Sequence, residues 1–294
     1  MARTMPENRT ISSILITGCS SGIGYYCATA LHQEGFRVFA TARNPDDVAR
    51  LQAQGLNSYP LDLDDPDSIR AALDWVLQQT GGTLDALFNN GAYGQPGAVE
   101  DLSRDVLRQQ FETNLFGTHE LTCEALKVMR HQGYGRIIQN SSVLGLITMK
   151  YRGAYNASKF ALEGLTDTLR QELAGSDIHI SLIEPGPVES AFRDNAYIAF
   201  KQNITTQGSA HEAIYQAVER RLAKQKESGK SDPFTLGPEA VCKPLRHALT
   251  SARPKPRYYV TTPTWLLGIL RRLLPTRALD WVLLKVSDDE NKQT

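Results

Sequence analysis

The sequence predicts an α/β fold, a single doubly wound parallel sheet with a C-terminal helical extension. Three observations predict it. Short apolar runs alternate strictly with longer amphipathic stretches, the pattern of βαβ units. The apolar runs are continuous rather than alternating, as expected of strands covered on both faces. A glycine-rich turn joins the first apolar run to the first helical stretch, and right-handed crossovers then place helices on both sides of the sheet. The 294 residues suffice for one large core, and no linker divides them, so 1–294 reads as one domain with its core over 12–190.

The elements follow in order. SILIT (13–17) is a strand and 23–33 a helix; RVFATA (37–42) is a strand and DDVARLQAQ (46–54) a helix. NSYPLD (57–62) is a strand, and Asp65 with Pro66 opens the next helix, because proline fits the first turn where no N–H is required. LDALFNN (84–90) is a strand, followed by a glycine-rich loop to Gly97. Residues 103–131 read as one long helix, GRIIQNSS (135–142) as a strand, 153–174 as a helix and IHISLIEPG (178–186) as a strand. After Pro185 the pattern degrades into a polar segment, 187–236, with a basic helical piece (AIYQAVERRLAKQK). A segment of that length between core elements reads as a functional loop or lid. A helix over 238–249, a strand over 257–261 and an amphipathic stretch over 262–286 complete the chain.

Composition excludes several function classes. Lys plus Arg and Asp plus Glu both count 32, so zero net charge removes the usual electrostatic argument for nucleic acid or an anionic membrane as main partner. Cys19, Cys27, Cys123 and Cys242 form no C-x-x-C pair and the histidines no H-E-x-x-H, so no metal site is expected and the thiols read as buried and free. MARTMPENRT is followed by no apolar leader core, and no apolar run approaches the roughly 18 residues of a membrane span. A cytoplasmic protein is expected.

Thr17-Gly18-Cys19-Ser20-Ser21-Gly22-Ile23-Gly24 lies between the first strand and first helix. Gly18 suits the tight turn, Gly22 lets backbone approach a pyrophosphate, and Gly24 lets the helix pack closely on the sheet. The helix N-terminus offers free N–H groups to the phosphates. The spacing lacks the Gly-Lys-Ser/Thr ending of a P-loop, which disfavours ATP or GTP. Gly18 to Gly22 also matches the G-x-S-x-G of a nucleophile elbow, but only 17 residues precede Gly18 and none forms an oxyanion loop. The turn therefore reads as a dinucleotide site. After the second strand stands Thr41-Ala42-Arg43, where an NAD enzyme is expected to carry an acid for the ribose 2′-hydroxyl. Arg43 instead suits a 2′-phosphate, favouring NADP(H) over NAD(H). Asp62 is placed for the adenine amino group or as a helix cap.

Tyr155 and Lys159, four apart, share one face of a helix. Tyr197 and Lys201 repeat that spacing, but only the first pair has a serine, Ser142, at the carboxyl end of a strand, where ligands of open α/β sheets bind. A phenol near pKa 10 needs a drop of roughly 3 units, about 4 kcal/mol, to work as a base at neutral pH. One cation at about 4 Å supplies a term of that size at an effective dielectric of about 20, so Lys159 is expected to lower Tyr155. The Ser142 hydroxyl is placed to hold a substrate oxygen where charge develops. Asn114, in NLFG, is a poor helix-interior residue and reads as a holder of water beside Lys159 or as a helix-bending contact.

Together these residues resemble the short-chain dehydrogenase/reductase family, a Rossmann fold, strongly over 12–190. The match rests on T-G-x-x-x-G-I-G, Asn114, Ser142, Tyr155, Lys159 and Pro185-Gly186. The resemblance implies hydride transfer between a nicotinamide and a carbonyl or alcohol. Tyr155 would be the proton donor, Ser142 and Lys159 its partners, and Asn114 the anchor of a relay water. It further implies that Gly18, Ser20, Ser21, Gly22, Ile23, Gly24, Arg43, Asp62, Leu63, Asn90, Gly91, Tyr155, Lys159, Pro185, Gly186 and Val188 hold the cofactor. TGCSSGIG, ATARNPDDV, SLIEPGPV and FTLGPEAV look like a subgroup of bacterial NADP-dependent aldehyde reductases similar to 17β-hydroxysteroid and retinol dehydrogenases. One departure stands out: the family's N-N-A-G here reads Asn89-Asn90-Gly91-Ala92, which puts the fine cofactor contacts there in doubt.

The apolar stripe from Trp265 to Leu274, flanked by Arg271, Arg272 and Arg277, reads foremost as core or channel packing, then as a subunit contact, and last as a membrane contact. With the lid it implies a small apolar carbonyl or alcohol substrate. The function expected is that of an NADP(H)-dependent carbonyl or aldehyde reductase. The alternative is a non-catalytic NADP(H) sensor on the same fold, which has no need of Tyr155 and Lys159 together. The resemblance implies a homodimer or homotetramer.

Overall fold

The computed structural model describes residues 11–219 and 234–292. The first ten residues, on which the absence of a leader was read, and the basic half of the lid segment over 220–233 lie outside the described residues.

Seven strands form one sheet in the order β3-β2-β1-β4-β5-β6-β7, every neighbouring pair parallel. They are β1 (Ser13–Ile16), β2 (Arg37–Ala42), β3 (Asn57–Pro60), β4 (Ala86–Asn89), β5 (Gly135–Asn140), β6 (Ile178–Glu184) and β7 (Arg257–Tyr259). The strands alternate side chains between two cores, as parallel strands buried on both faces must. Ile14, Ile16, Ile138 and Ile183 face a core shared with α1 (Gly22–Gln33), α2 (Pro45–Ala53) and α9 (Glu239–Thr250). Leu15, Leu87, Ile137 and Ile180 face the other, shared with α3 (Pro66–Thr80), α5 (Thr118–Gln132) and α6 (Gly153–Glu172). The sheet is thus doubly wound. Its strand order reverses between β1 and β4, opening a crevice at their carboxyl ends. The helix starts follow local chemistry: Asn44 and Asp65 accept from the amides of Asp46 and Asp67 ahead of α2 and α3, each with proline in its first turn.

Three expectations are corrected. The helix over 103–131 is broken into α4 (Arg104–Phe111), a π-turn over Glu112–Gly117, and α5. The break brings Gly117 against Leu63, where a Cβ would lie 1.8 Å from the Leu63 carbonyl oxygen, so only glycine permits the contact. The polar segment after Pro185 holds a helix that was not expected, α7 (Phe192–Asn203), beside α8 (212–219), which begins the expected helical piece. They pack through Phe200, Ile204 and Tyr215 against Ala98, and the Tyr215 hydroxyl accepts from the Ala98 amide at 2.8 Å. The C-terminal stretch is two helices, α10 (Thr262–Leu273) and α11 (Thr276–Lys292), divided where Pro275 cannot continue the helix.

Candidate active site

The glycine turn leaves β1 with Gly18 and Gly22 at φ +70° and +55°, the left-handed region closed to most side chains. A Cβ on Gly24 would sit 2.2 Å from the Gly18 carbonyl oxygen, so α1 approaches the turn only because that residue is glycine. Ser21 precedes α1 without a side-chain cap, leaving first-turn amides of the helix open. This is the geometry that receives phosphate. Ser20 sits in the turn with its carbonyl accepting from Arg50 at 2.5 Å, and its hydroxyl has no histidine partner among the described residues. Burial pushes the Cys19 thiol up to about 12, so it is an inert core group.

Asn90 braces the turn rather than opening toward a ligand. Its amide donates to the carbonyls of Thr17 and Gly18 at 3.0 and 3.2 Å, and its Oδ1 accepts from Asn140 at 2.8 Å. The Thr17 hydroxyl accepts from the amides of Asn90 and Gly91. A Cβ on Gly91 would meet Leu63 at 3.1 Å and Thr17 at 3.2 Å. The inverted Gly91-Ala92 order therefore places the smaller residue where the loop touches its neighbours most closely.

At the adenosine end, Arg43 is exposed beyond β2 and makes no hydrogen bond or ion pair among the described residues. Asp62 accepts from the Asp64 amide at 3.1 Å, while Asp65 is the actual cap of α3. Sequence reasoning missed Tyr93. Its hydroxyl is buried without a partner, and its backbone is held by Asn114 and Gln110. Burial and the charge of Asp64 push its phenol up to about 12 against the pull of Arg43.

The catalytic candidates come from three elements. Ser142 follows β5 and caps the short turn Val143–Gly145. Tyr155 and Lys159 lie in the first turns of α6, 9% and 3% exposed. The Ser142 hydroxyl acts on the Tyr155 phenol in the direction that favours its ionised form. The Lys159 ammonium lies 5.7 Å from the Tyr155 ring centroid and donates to the Asn140 carbonyl at 2.7 Å. Asn114, in the π-turn, has its amide taken up by protein groups. Its Oδ1 accepts from the Tyr93 amide at 3.1 Å, and its Nδ2 donates to the Tyr93 carbonyl at 2.9 Å and to the Ser158 hydroxyl at 3.3 Å. It thus ties the β4 loop to α6 between Tyr155 and Lys159.

The expectation of a lowered phenol is corrected in its net direction. Burial pushes Tyr155 up to about 12, opposed by the Ser142 hydroxyl and the charge of Arg152. Desolvation outweighs both, and it also lowers the Lys159 ammonium to about 8 against the pull of Glu163. Tyr155 therefore holds its proton at neutral pH.

Behind Lys159 lies a group of acids that sequence reasoning also missed. Glu163 is one helical turn further along α6, and Glu184 ends β6. Both bind Arg257 of β7, which also donates to Asp167 at 2.6 Å. Burial and the charge of Glu163 push the Glu184 carboxyl up, against the pull of Arg257. The signal was present in the sequence: Glu163 stands at i+4 from Lys159 on the buried face of the helix.

Pro185 accepts from the Val143 amide at 2.8 Å, joining the β6 exit to the Ser142 turn. A Cβ on Gly186 would lie 2.2 Å from Thr261 Oγ1, so α10 begins directly on this glycine. Val188 bridges to Leu236. The apolar wall is Val143, Leu144, Ile147 and Leu267, with Phe192 edge-on to Tyr155 at 5.2 Å. Tyr151, at φ +61°, is a strained residue just before α6, its carbonyl accepting from Gly97 at 2.9 Å. Tyr197 and Lys201 lie apart on α7, Lys201 paired with Glu219. A polar depression at the opposite, amino edge of the sheet contains Asp85, whose carboxylate is already used by Ser12, Ser13 and Tyr134.

Comparison with known proteins places this geometry. The profile of a family described as short chain dehydrogenase matches residues 12–200. The chain is 45% identical over 271 residues to the uncharacterized oxidoreductase YbbO of Escherichia coli K12, covering 92% of this chain and 93% of that one. It is 32% identical to human 17-beta-hydroxysteroid dehydrogenase type 1, covering 89% of this chain and 78% of the relative. A solved short chain dehydrogenase/reductase from Burkholderia phymatum in complex with NAD superimposes with a TM-score of 0.73 at 26% identity, covering 91% of this chain and 94% of that one.

Proposed function

The chain belongs to the short-chain dehydrogenase/reductase family of oxidoreductases, and on that premise we propose that it is an NADP(H)-dependent enzyme interconverting an apolar aldehyde or ketone and its alcohol, with Tyr155 as the acid–base group. The observation that carries the reading is the burial of Tyr155 and Lys159 on one helix face, the ammonium 5.7 Å from the phenol ring, beside the Ser142 turn.

The residues present fit a dinucleotide. The uncapped start of α1 and the positive-φ glycines suit a pyrophosphate, and the unpaired Arg43 near the unpartnered Tyr93 hydroxyl suits a 2′-phosphate. Lys159, Pro185, Gly186 and Val188 would hold the nicotinamide end. When bound, the cofactor supplies the reducing equivalent to the carbonyl carbon.

The chain's own groups supply the rest. Ser142 donates to the substrate oxygen and orients it. Tyr155, protonated at neutral pH, passes its phenolic proton to that oxygen as charge develops. The Lys159 ammonium over the ring favours the phenolate that remains. Phe192, Leu267 and the Val143–Ile147 wall exclude water and suit an apolar substrate. The described helices α7 and α8, packed against Ala98, would act as a lid. Exposed Phe116, Phe160 and Leu165 on the long helices suit self-association into a dimer or tetramer.

The test is Tyr155→Phe assayed with NADPH and NADH over aldehydes and ketones of increasing size. Turnover is expected to fall about 10²–10⁴-fold while NADPH still quenches tryptophan fluorescence. Unchanged turnover removes Tyr155 from the mechanism. A wild-type protein that binds NADPH but reduces nothing on the panel is instead a sensor.

A further inference from the structure

Helices α10 and α11 each present two stripes. The inner one, through Leu267, Leu279 and Leu283, packs with Tyr155 in the wall of the candidate active site. The outer one is apolar as well, where a surface helix ordinarily turns a polar face to water. Trp265 is 58% exposed, Leu266 57% and Leu273 74% on α10, and Trp281 is 66% exposed on α11.

The same stretch is basic. Between Thr262 and Ser287 stand Arg271, Arg272, Arg277 and Lys285 against the single acid Asp280, in a chain whose net charge is zero. The acids Asp288, Asp289 and Glu290 follow only at the far end of α11. Lys285 lies 5.7 Å from the Trp281 ring centroid, its stem along the apolar surface.

We propose that the outer face of α10 and α11 docks on an anionic lipid surface, both helices lying in the headgroup plane with Trp265 and Trp281 at the boundary. Exposed tryptophans beside arginines and lysine are the chemistry of an interfacial helix, and acidic headgroups complement the cations. A second copy is a poorer occupant, because a two-fold contact through this face brings the same cations together. No helix among the described residues is long and apolar enough to cross a membrane, so the association is peripheral. Docking sets the active-site wall directly beneath the lipid, where an apolar substrate enters without crossing water. It does not depend on the identity of the cofactor.

The full chain is sedimented with vesicles of phosphatidylcholine alone and with about 30% phosphatidylglycerol, at low and high salt, with tryptophan emission recorded. Binding to the anionic vesicles with a blue shift is expected, weakened by salt. Leu273→Glu with Trp281→Glu is expected to reduce partitioning by about tenfold or more while melting temperature and turnover of a water-soluble aldehyde stay unchanged. Arg271→Glu with Arg277→Glu tests the charge separately should the first pair fail to fold. Absence of binding overturns the proposal. So does equal binding to neutral vesicles, and so does a concentration-dependent dimer that the Leu273 and Trp281 substitutions dissolve, which assigns the face to a second copy.

Discussion

Replacing Lys159 with methionine removes a charge that the fold holds at a disadvantage. The ammonium is moved by burial from its ordinary 10.5 to about 8, a difference equivalent to about 3 kcal/mol of destabilisation at pH 7. Methionine keeps most of the aliphatic volume and carries no charge. It loses the hydrogen bond to the Asn140 carbonyl, worth about 1 kcal/mol. The variant is therefore expected to be about 2 kcal/mol more stable than the wild type at pH 7, and catalytically dead. The sign reverses nothing but fades with pH. Between about 8 and 10.5 the unfolded chain binds the Lys159 proton and the folded chain does not, so wild-type stability from this group rises with pH. At pH 10 the penalty has shrunk to about 1 kcal/mol and the variant's advantage vanishes. Urea unfolding at pH 7 and pH 10, followed by tryptophan fluorescence, reads both values. A variant less stable at pH 7, or an advantage that is the same at both pH values, refutes the claim that burial of Lys159 is a standing strain held for chemistry.

Three further perturbations probe neighbouring claims. Arg43→Ala is expected to weaken NADPH binding about 10- to 100-fold, the worth of a charge-assisted pair, with NADH binding unchanged; equal loss of both cofactors would remove the 2′-phosphate role. Glu163→Gln takes away the charge that pulls Lys159 upward, so the alkaline limb of the kcat profile for carbonyl reduction should move to lower pH, and an unmoved limb contradicts the coupling. Gly24→Ala would force a Cβ within 2.2 Å of the Gly18 carbonyl oxygen. It should lower stability by about 1–3 kcal/mol and weaken cofactor binding, and an undisturbed melting temperature would show the turn to be more pliant than its geometry implies.

Much of this molecule was legible before its coordinates. The βαβ periodicity determined the order of elements, because a strand buried on both faces must be continuously apolar and a covering helix amphipathic. The turn from Gly18 to Gly24 was legible because its chemistry is local: positive φ and close approach demand glycine within a few residues. The Ser142, Tyr155 and Lys159 set was legible from one helix spacing and one strand end. Strand ends were read too long, as in 135–142 against Gly135–Asn140, because Ser141 and Ser142 already belong to the turn, where Ser142 caps Val143–Gly145.

What the tertiary structure alone decided depends on neighbours distant in the chain. The π-turn at Glu112–Gly117 answers to Leu63 and Tyr93 rather than to its own helix propensity. The Glu163, Glu184 and Arg257 cluster assembles from a helix and two strands, so no local window contains it. The direction of the Tyr155 shift turned on desolvation, which sums over everything packed around the phenol and outweighed the Ser142 hydroxyl and the charge of Arg152. Which stripe of α10 faces the active site and which faces outward was likewise a matter of packing: the sequence determined that the helix has apolar residues in excess, and the fold determined that Leu267 is covered while Trp265 and Leu273 are not.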